Sequence, residues 1–179
     1  MKQIIVVPYD LHWPEAFAAE SKAIAVAMGD NLLQIHHIGS TSIPGIYAKP
    51  VIDMLAVVSD IAAVDQRNAR MESLGYVAMG EFGIAGRRYF KRDNAEGVRT
   101  HQVHTFQSGT LDVQRHLAFR DFMRANPAIA NQYSELKCGL AEKHPHDLEA
   151  YMDGKDGFIM EMEKRALAWV ADGSDRLRE

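Results

Sequence analysis

Residues 36–55 read His36-His37-Ile38-Gly39-Ser40-Thr41-Ser42-Ile43-Pro44-Gly45-Ile46-Tyr47-Ala48-Lys49-Pro50-Val51-Ile52-Asp53-Met54-Leu55. They predict the end of a strand that begins near residue 32, a turn at Gly39-Ser40, and a second strand over residues 51–58. The second strand is the most apolar segment of the chain, as is typical of a strand covered on both faces of a sheet. It contains a single acid, Asp53. We expect Asp53 to lie next to the turn, so that both open onto one pocket.

The turn carries groups that suit a phosphate. Glycine has no side chain to obstruct a ligand, so the backbone at Gly39 can approach one closely. The N–H groups of the turn and the hydroxyls of Ser40, Thr41 and Ser42 can surround phosphate oxygens, and Lys49 can add a positive charge. The alternative is a turn that only connects two strands.

Asp53 is an unusual residue for its position. A carboxylate inside an apolar strand is costly to bury unless it is hydrogen-bonded, paired with a cation or bound to a metal ion. Buried carboxylates of this kind often mark functional sites, so we predict that Asp53 belongs to one. The alternative is that Asp53 caps a neighbouring loop.

The rest of the chain predicts an α+β fold. Before residue 108, apolar strands alternate with helical patterns, and residues 87–92 and 101–106 predict a hairpin. From residue 111 onward the pattern is helical. This order predicts a mixed β-sheet flanked by helices over residues 1–108 and a C-terminal helical extension over residues 109–179, packed together as one compact unit.

Composition excludes several classes of protein. The 20 basic and 24 acidic side chains give a formal charge of −4, which does not predict a nucleic-acid-binding surface. The single cysteine, Cys138, excludes a disulfide framework and a multi-cysteine metal site. No apolar stretch approaches the length of a membrane span, and the N-terminus lacks the features of a signal peptide. We therefore expect a cytoplasmic protein that does not bind membranes.

Motifs over nearly the whole chain resemble those of known proteins. Gly39-Ser40, 12 intervening residues and then an acid in an apolar strand are similar to the signature of the nucleotidyltransferase superfamily. More specifically, the chain resembles the GrpB family, also known as UPF0157. The motifs that carry this resemblance are Val7-Pro8-Tyr9-Asp10, Trp13-Pro14, Phe17, residues 37–42, Pro44-Gly45, Lys49-Pro50, Asp53, Arg99-Thr100-His101, His104, residues 115–121, Tyr151 and Lys155.

The resemblance implies a nucleotidyltransferase-like fold in which the glycine-serine turn and the acidic strand form a nucleotide-binding cleft. Members of the superfamily hold catalytic magnesium with two acids that are one residue apart. Asp53 matches the first acid, which implies that it is a metal-binding and catalytic residue, but Leu55 occupies the second position. Two metal ions that bridge an attacking oxygen and a triphosphate need several oxygen ligands, and one carboxylate supplies too few.

A histidine of the predicted hairpin can supply a further ligand. Alternation places Gln102 and His104 on one face of their strand and His101 on the other. If this strand lies beside the Asp53 strand, His104 stands near the carboxylate as a metal ligand or proton-transfer group. We predict a divalent metal cofactor, magnesium or manganese before zinc, held by Asp53 and His104. The alternative is a purely structural hydrogen-bonding role for His104.

Basic residues are further candidates for binding phosphate. Arg87, Arg88 and Arg99 flank the hairpin, and a guanidinium group that points into the cleft can bind a phosphate at two points. The sequence does not choose among the three, and we take Arg88 and Arg99 as candidates. Lys155 lies one helical turn from Tyr151 and can approach the cleft from the helical half, or the two form a surface pair.

Two functions remain open. The protein is either an enzyme that transfers a nucleotidyl or phosphoryl group, or a module that binds a nucleotide or phosphorylated metabolite and performs no chemistry. Leu55 in place of the second acid favours the binding module. Asp53 and the nearby histidines favour the enzyme.

Overall fold

A computed structural model of the chain describes residues 3–176, and side chains up to residue 173. The helices and strands follow the order α1 (Trp13–Met28), β1 (Leu32–Ile38), β2 (Ile52–Val58), α2 (Asn68–Ser73), β3 (Val77–Ala78), β4 (Arg88–Asp93), β5 (Arg99–Gln107), α3 (Leu111–Ala125), α4 (Pro127–Lys143) and α5 (Leu148–Arg176). Within the described residues, no helix has the length and apolarity needed to span a membrane.

The strands form one mixed sheet in the order β1-β2-β5-β4-β3. β1 pairs with β2 in antiparallel orientation, β2 pairs with β5 in parallel, and β5, β4 and β3 follow in antiparallel orientation. β2 is therefore a central strand, which explains its nearly unbroken run of apolar residues. The predicted α+β fold with a mixed sheet and flanking helices is confirmed.

One face of the sheet is covered by α1 and by the chain around α2. The ring of His37, on β1, stacks on Phe17 of α1 with the ring centres 4.9 Å apart. On β4, Arg92 forms an ion pair of 2.8 Å with Glu20 of α1, and the hydroxyl of Tyr76 donates to the same glutamate. Because side chains alternate along a strand, the residues next to His37 and Arg92 in sequence point to the opposite face. We call that opposite face the Asp53 face.

The chain divides into two units by its internal contacts. The sheet unit comprises Asp10–Ser42 and Val51–Val113, and the helical unit comprises residues 3–9, Ile43–Pro50 and residues 114–176. The boundary that we predicted after residue 108 falls inside the sheet unit. The segment Ile43–Pro50, which we had placed with the sheet, belongs by its contacts to the helical unit.

The helical unit has its own apolar core. Ile43 and Ile46 pack with residues of α3, α4 and α5, among them Phe122, Tyr133 and Met162. Gly154 of α5 faces Leu140 of α4 so closely that an added Cβ would lie 2.4 Å from Leu140 Cδ2. A glycine at this position therefore allows the two helices to approach each other.

Candidate functional site

The glycine-serine turn and Asp53 lie side by side. Ile38, the last residue of β1, pairs with Asp53 of β2, and Gly39 follows with a φ of +68°. A Cβ added to Gly39 would lie 2.4 Å from Asp53 Oδ2 and 2.9 Å from Asp53 Cβ. The carboxylate is thus packed against the turn, as we predicted from the sequence, and only glycine leaves room for it.

Two of the three hydroxyls in the turn are used to build it. The Ser42 hydroxyl donates to the Gly39 carbonyl at 2.6 Å, and the Ser42 amide donates to the same oxygen. Thr41 is buried, and its hydroxyl donates to the Val51 carbonyl at 3.0 Å while it accepts a hydrogen bond from His37. Of the hydroxyls that we assigned to phosphate, these hydrogen bonds leave only that of the half-buried Ser40 uncommitted.

β5 brings the predicted histidine to the Asp53 face. Gln102 lies directly beside Asp53 in the parallel register, and His104 lies beside Leu55, one step further along the same face. The buried guanidinium group of Arg87 donates to His104 Nδ1 at 3.3 Å. A ring nitrogen that accepts from arginine carries no proton, so Nδ1 of His104 is unprotonated and a proton on the ring lies on Nε2.

Tyr89 and Arg99 extend this face across β4. Tyr89 pairs with His104, and its ring lies 5.3 Å from the histidine ring. The Tyr89 hydroxyl accepts a hydrogen bond of 3.1 Å from Arg99, whose Nε binds the carboxylate of Asp93. Burial raises the pKa of the Tyr89 hydroxyl, and the negative charge of Asp53 adds to the rise. Arg99, a predicted site residue, is therefore connected to the Asp53 face through Tyr89.

Arg88 lies on the other face of the sheet. Its guanidinium group forms a two-point ion pair with Asp65, with Nε–Oδ1 and Nη2–Oδ2 distances of 2.6 and 2.9 Å. This position follows from alternation, because Arg87 and Tyr89 occupy the Asp53 face and Arg88 lies between them. The sequence analysis named Arg87 without selecting it and did not name Tyr89, although the alternation of residues 87, 89 and 91 in the predicted hairpin places both on one face.

Lys49 and Lys155 lie in the helical unit, around the buried ring of Tyr151. Their ammonium groups are 5.8 and 4.6 Å from the centre of this ring, and Lys155 is only 8% exposed. Tyr151 and Lys155 are therefore not a surface pair. A third lysine, Lys137, was not found from the sequence: it is buried, donates to the Tyr47 carbonyl and lies 4.5 Å from the centre of the Tyr133 ring.

Lys137 has an unusual proton affinity. Burial lowers its pKa to about 7, and the nearby ammonium group of Lys155 contributes to the decrease. A lysine with such a pKa changes its charge near neutral pH, whereas an exposed lysine stays protonated.

The residues available for a metal ion are few. Among residues 3–176, no three histidine, cysteine, aspartate or glutamate side chains lie close enough together to hold one ion. Asp53 supplies one carboxylate, and Nδ1 of His104 is already occupied by Arg87. This donor set does not fit a two-ion site built by the protein. It fits a single contact to a magnesium ion whose other ligands are phosphate oxygens and water.

The mixed sheet, with an acid packed against a glycine-serine turn, defines a protein of the nucleotidyltransferase-like fold class. The solved structure of Cid1, a poly(U) polymerase, supports this assignment with a TM-score of 0.51 over 76% of this chain and 43% of Cid1. The sequences are only 12% identical, so this likeness concerns the fold alone.

The chain belongs to the GrpB family, because the family model described as GrpB protein matches residues 3–165. It is 44% identical to the UPF0157 protein YqkA of Bacillus subtilis over 168 residues, which are 94% of this chain and 48% of YqkA. The crystal structure of the conserved protein GrpB from Enterococcus faecalis has a TM-score of 0.89 and 45% identity, over 93% of this chain and 99% of that protein.

A further relative is much longer than the matched region. The chain is 26% identical to dephospho-CoA kinase of Mycobacterium tuberculosis over 189 aligned positions. The match covers 92% of this chain and 46% of the kinase. The chain thus spans about half the length of both YqkA and this kinase.

Proposed function

We propose that the protein binds a nucleotide or a related phosphorylated metabolite, with the phosphates at the Gly39-Ser40 turn and a magnesium ion of the ligand at Asp53. The observation that carries this proposal is the Asp53 carboxylate packed against Gly39. The backbone N–H groups and hydroxyl of the turn suit phosphate oxygens, and the carboxylate suits a hard cation.

The proximity of Asp53 to the turn determines the form of the ligand. A carboxylate repels a bare phosphate at short range, since both are negative. A magnesium ion between them removes this repulsion, and magnesium is commonly bound through one or two carboxylates together with substrate phosphates. We therefore expect the magnesium complex to bind much more tightly than the metal-free ligand.

A basic side chain on the Asp53 face supports an anionic ligand as well. Arg87, whose guanidinium group donates to His104 Nδ1, adds a positive charge to this face. Coenzyme A precursors are a second class to test beside nucleoside triphosphates, because relatives of this chain are named dephospho-CoA kinase.

Calorimetric titration tests the proposal directly. The ligands are ATP, GTP, CTP, UTP and dephospho-CoA, each with magnesium and with a chelator in its place. For at least one ligand we expect magnesium to strengthen binding to the wild-type protein by about tenfold or more, and Asp53→Asn to abolish this enhancement while metal-free binding is unchanged or improved.

Asp65→Asn is the matched control, because Asp65 is a carboxylate of the same unit on the opposite face. It should retain the wild-type magnesium effect. Failure of all five ligands to bind, or a magnesium enhancement that survives Asp53→Asn, would reject the proposal.

A second candidate function is nucleotidyl or phosphoryl transfer at the same cleft. The observation that favours it is that His104 and Tyr89, two side chains capable of proton transfer, lie side by side on the Asp53 face. Incubation of each triphosphate with the protein and magnesium, followed by phosphorus NMR, tests it. Turnover that is lost in both Asp53→Asn and Ser40→Ala, with folding intact, would establish the enzyme in place of the binding module.

A further inference from the structure

The loop between β3 and β4 has an unusual backbone. We call residues 79–87 the 79–87 loop. Gly80, Gly83 and Gly86 all have positive φ values, and so does Phe82, with a φ of +44°. Phe82 is the one residue other than glycine with a positive φ among residues 3–176. A bulky side chain in this conformation is strained, and such strain is concentrated at functional sites.

The 79–87 loop is held in place by a network of hydrogen bonds. The Arg87 side chain donates from Nε to the Glu81 carbonyl at 3.2 Å and from Nη2 to the Phe82 carbonyl at 2.7 Å. The Gly86 amide donates to the Glu81 carboxylate at 2.7 Å. Arg87 thus fixes the backbone of Phe82 and also contacts His104 on the Asp53 face. The strained residue is therefore held in one conformation before any ligand arrives.

The ring of Phe82 is both ordered and accessible. It stacks on Tyr89 with the ring centres 5.3 Å apart and the planes within 20° of parallel. Phe82 is nevertheless 60% exposed, whereas Tyr89 below it is buried. The stack fixes the orientation of the ring and leaves a flat aromatic surface open to solvent.

The distance from Asp53 to this stack matches the length of a nucleotide. Asp53, Gln102 and Lys91 lie in one row across three neighbouring strands, and Tyr89 is two residues from Lys91. Two strand spacings and one two-residue step place the Cα atoms of Asp53 and Tyr89 about 12 Å apart on the same face. A ribose and its phosphate chain can bridge a distance of this size.

We propose that Phe82, supported by Tyr89, is the platform on which the base of the bound nucleotide stacks. The inference rests on the proposed function, because it takes the phosphates to lie at the Gly39 turn. A planar base fits better than an acyl chain, since the exposed surface is flat and every nucleobase has a face that can stack on it. The platform therefore selects nucleotides over other phosphorylated metabolites without choosing strongly among the four bases.

The test compares ligands with and without a base. ATP, GTP, CTP and UTP are titrated with magnesium beside magnesium tripolyphosphate, which has the phosphate chain alone. Phe82→Ala should weaken the binding of the triphosphates by about 10- to 100-fold and leave tripolyphosphate unchanged. Phe82→Trp should retain nucleotide binding. The fluorescence of the introduced tryptophan should be quenched by nucleotide and not by tripolyphosphate.

Val98→Ala is the matched control, since Val98 is an exposed apolar residue of the same unit. It should leave all affinities unchanged. Equal affinities of tripolyphosphate and the nucleotides for the wild-type protein, or nucleotide binding unaffected by Phe82→Ala, would overturn the platform and leave phosphate binding at the turn intact. Failure of both kinds of ligand to bind would overturn the proposed function and the platform together.

Discussion

Gly39→Ala is the substitution that most directly probes the packing of Asp53 against the turn. The new Cβ would lie 2.4 Å from Asp53 Oδ2, 2.9 Å from its Cβ and 3.0 Å from its Cγ. Separations below 3.0 Å cannot persist between such atoms, so either the turn or the strand must move. Asp53 sits on the central strand β2, which is paired on both sides and cannot shift without disturbing its neighbours.

Two costs add at this position. An alanine in the left-handed conformation costs about 1–2 kcal/mol, and an overpacked site costs about 1–3 kcal/mol. The sum predicts a decrease of about 2–5 kcal/mol in the free energy of unfolding. For a chain of this size the midpoint of thermal unfolding should fall by about 4–20 °C.

Gly109→Ala separates the two costs. Gly109 is in the same unit and has a φ of +81°, but nothing lies within 4 Å of its added Cβ. This variant should show only the conformational cost of about 1–2 kcal/mol. Urea unfolding followed by circular dichroism measures both variants on one scale.

Asp53→Ala completes the cycle. It removes the carboxylate that an alanine at position 39 would meet, so Gly39→Ala should cost less in the Asp53→Ala background than in the wild-type protein. A Gly39→Ala variant no less stable than Gly109→Ala, with no coupling to position 53, would show that the carboxylate does not lie against the turn.

Three further predictions concern the two units separately. Burial and a neighbouring ammonium group lower the pKa of Lys137 to about 7. Between pH 7 and 10 the unfolded chain therefore binds more protons than the folded chain, and the free energy of unfolding should rise with pH. Lys137→Met should remove that rise from urea titrations across the same range. Burial and a neighbouring guanidinium group lower the pKa of His101 below 6.5. The free energy of unfolding should therefore decrease as the pH falls below 6.5, because the unfolded chain then binds more protons than the folded chain. His101→Gln should remove this decrease from a plot of the free energy of unfolding against pH. Gly154→Ala should be about 1–3 kcal/mol less stable than Gly157→Ala in urea unfolding, because only the first Cβ meets Leu140 while both gain helix propensity.

The sequence was most informative where residue type and strand order leave one arrangement. Gly39 ends a strand, and Asp53 is the one acid in the most apolar strand. Pairing of Ile38 with Asp53 then brings the turn and the acid together. Alternation correctly placed Gln102 and His104 on one face. The parallel register of β5 with β2 makes this the face on which Asp53 lies.

The sequence was least informative about how polar side chains are used. Ser40, Thr41 and Ser42 look equivalent in the sequence, but Thr41 and Ser42 turn inward because the turn needs its own hydrogen bonds. The partners of adjacent arginines are equally hard to predict. Arg88 forms an ion pair with Asp65 on one face of the sheet, and Arg87 donates to two loop carbonyls on the other. Composition cannot distinguish a residue that builds a loop from one that faces a ligand.

The burial of Leu55 bears on more than the number of carboxylates that could hold a metal ion. Asp53 is half-buried beside the turn, whereas Leu55, two residues further on the same face, is fully buried beside His104. A carboxylate at position 55 would have to lose its hydration there, which costs several kcal/mol unless a cation compensates. The two groups that we propose for the cation and the phosphate, the Asp53 carboxylate and the Ser40 hydroxyl, therefore lie at one end of the face. Beyond them, the side chains of His104 and Tyr89 continue the face and accept hydrogen bonds from Arg87 and Arg99. That arrangement suits the binding of a phosphate with its cation and an aromatic base that we propose, and the described face lacks the pair of carboxylates that two-metal transfer needs.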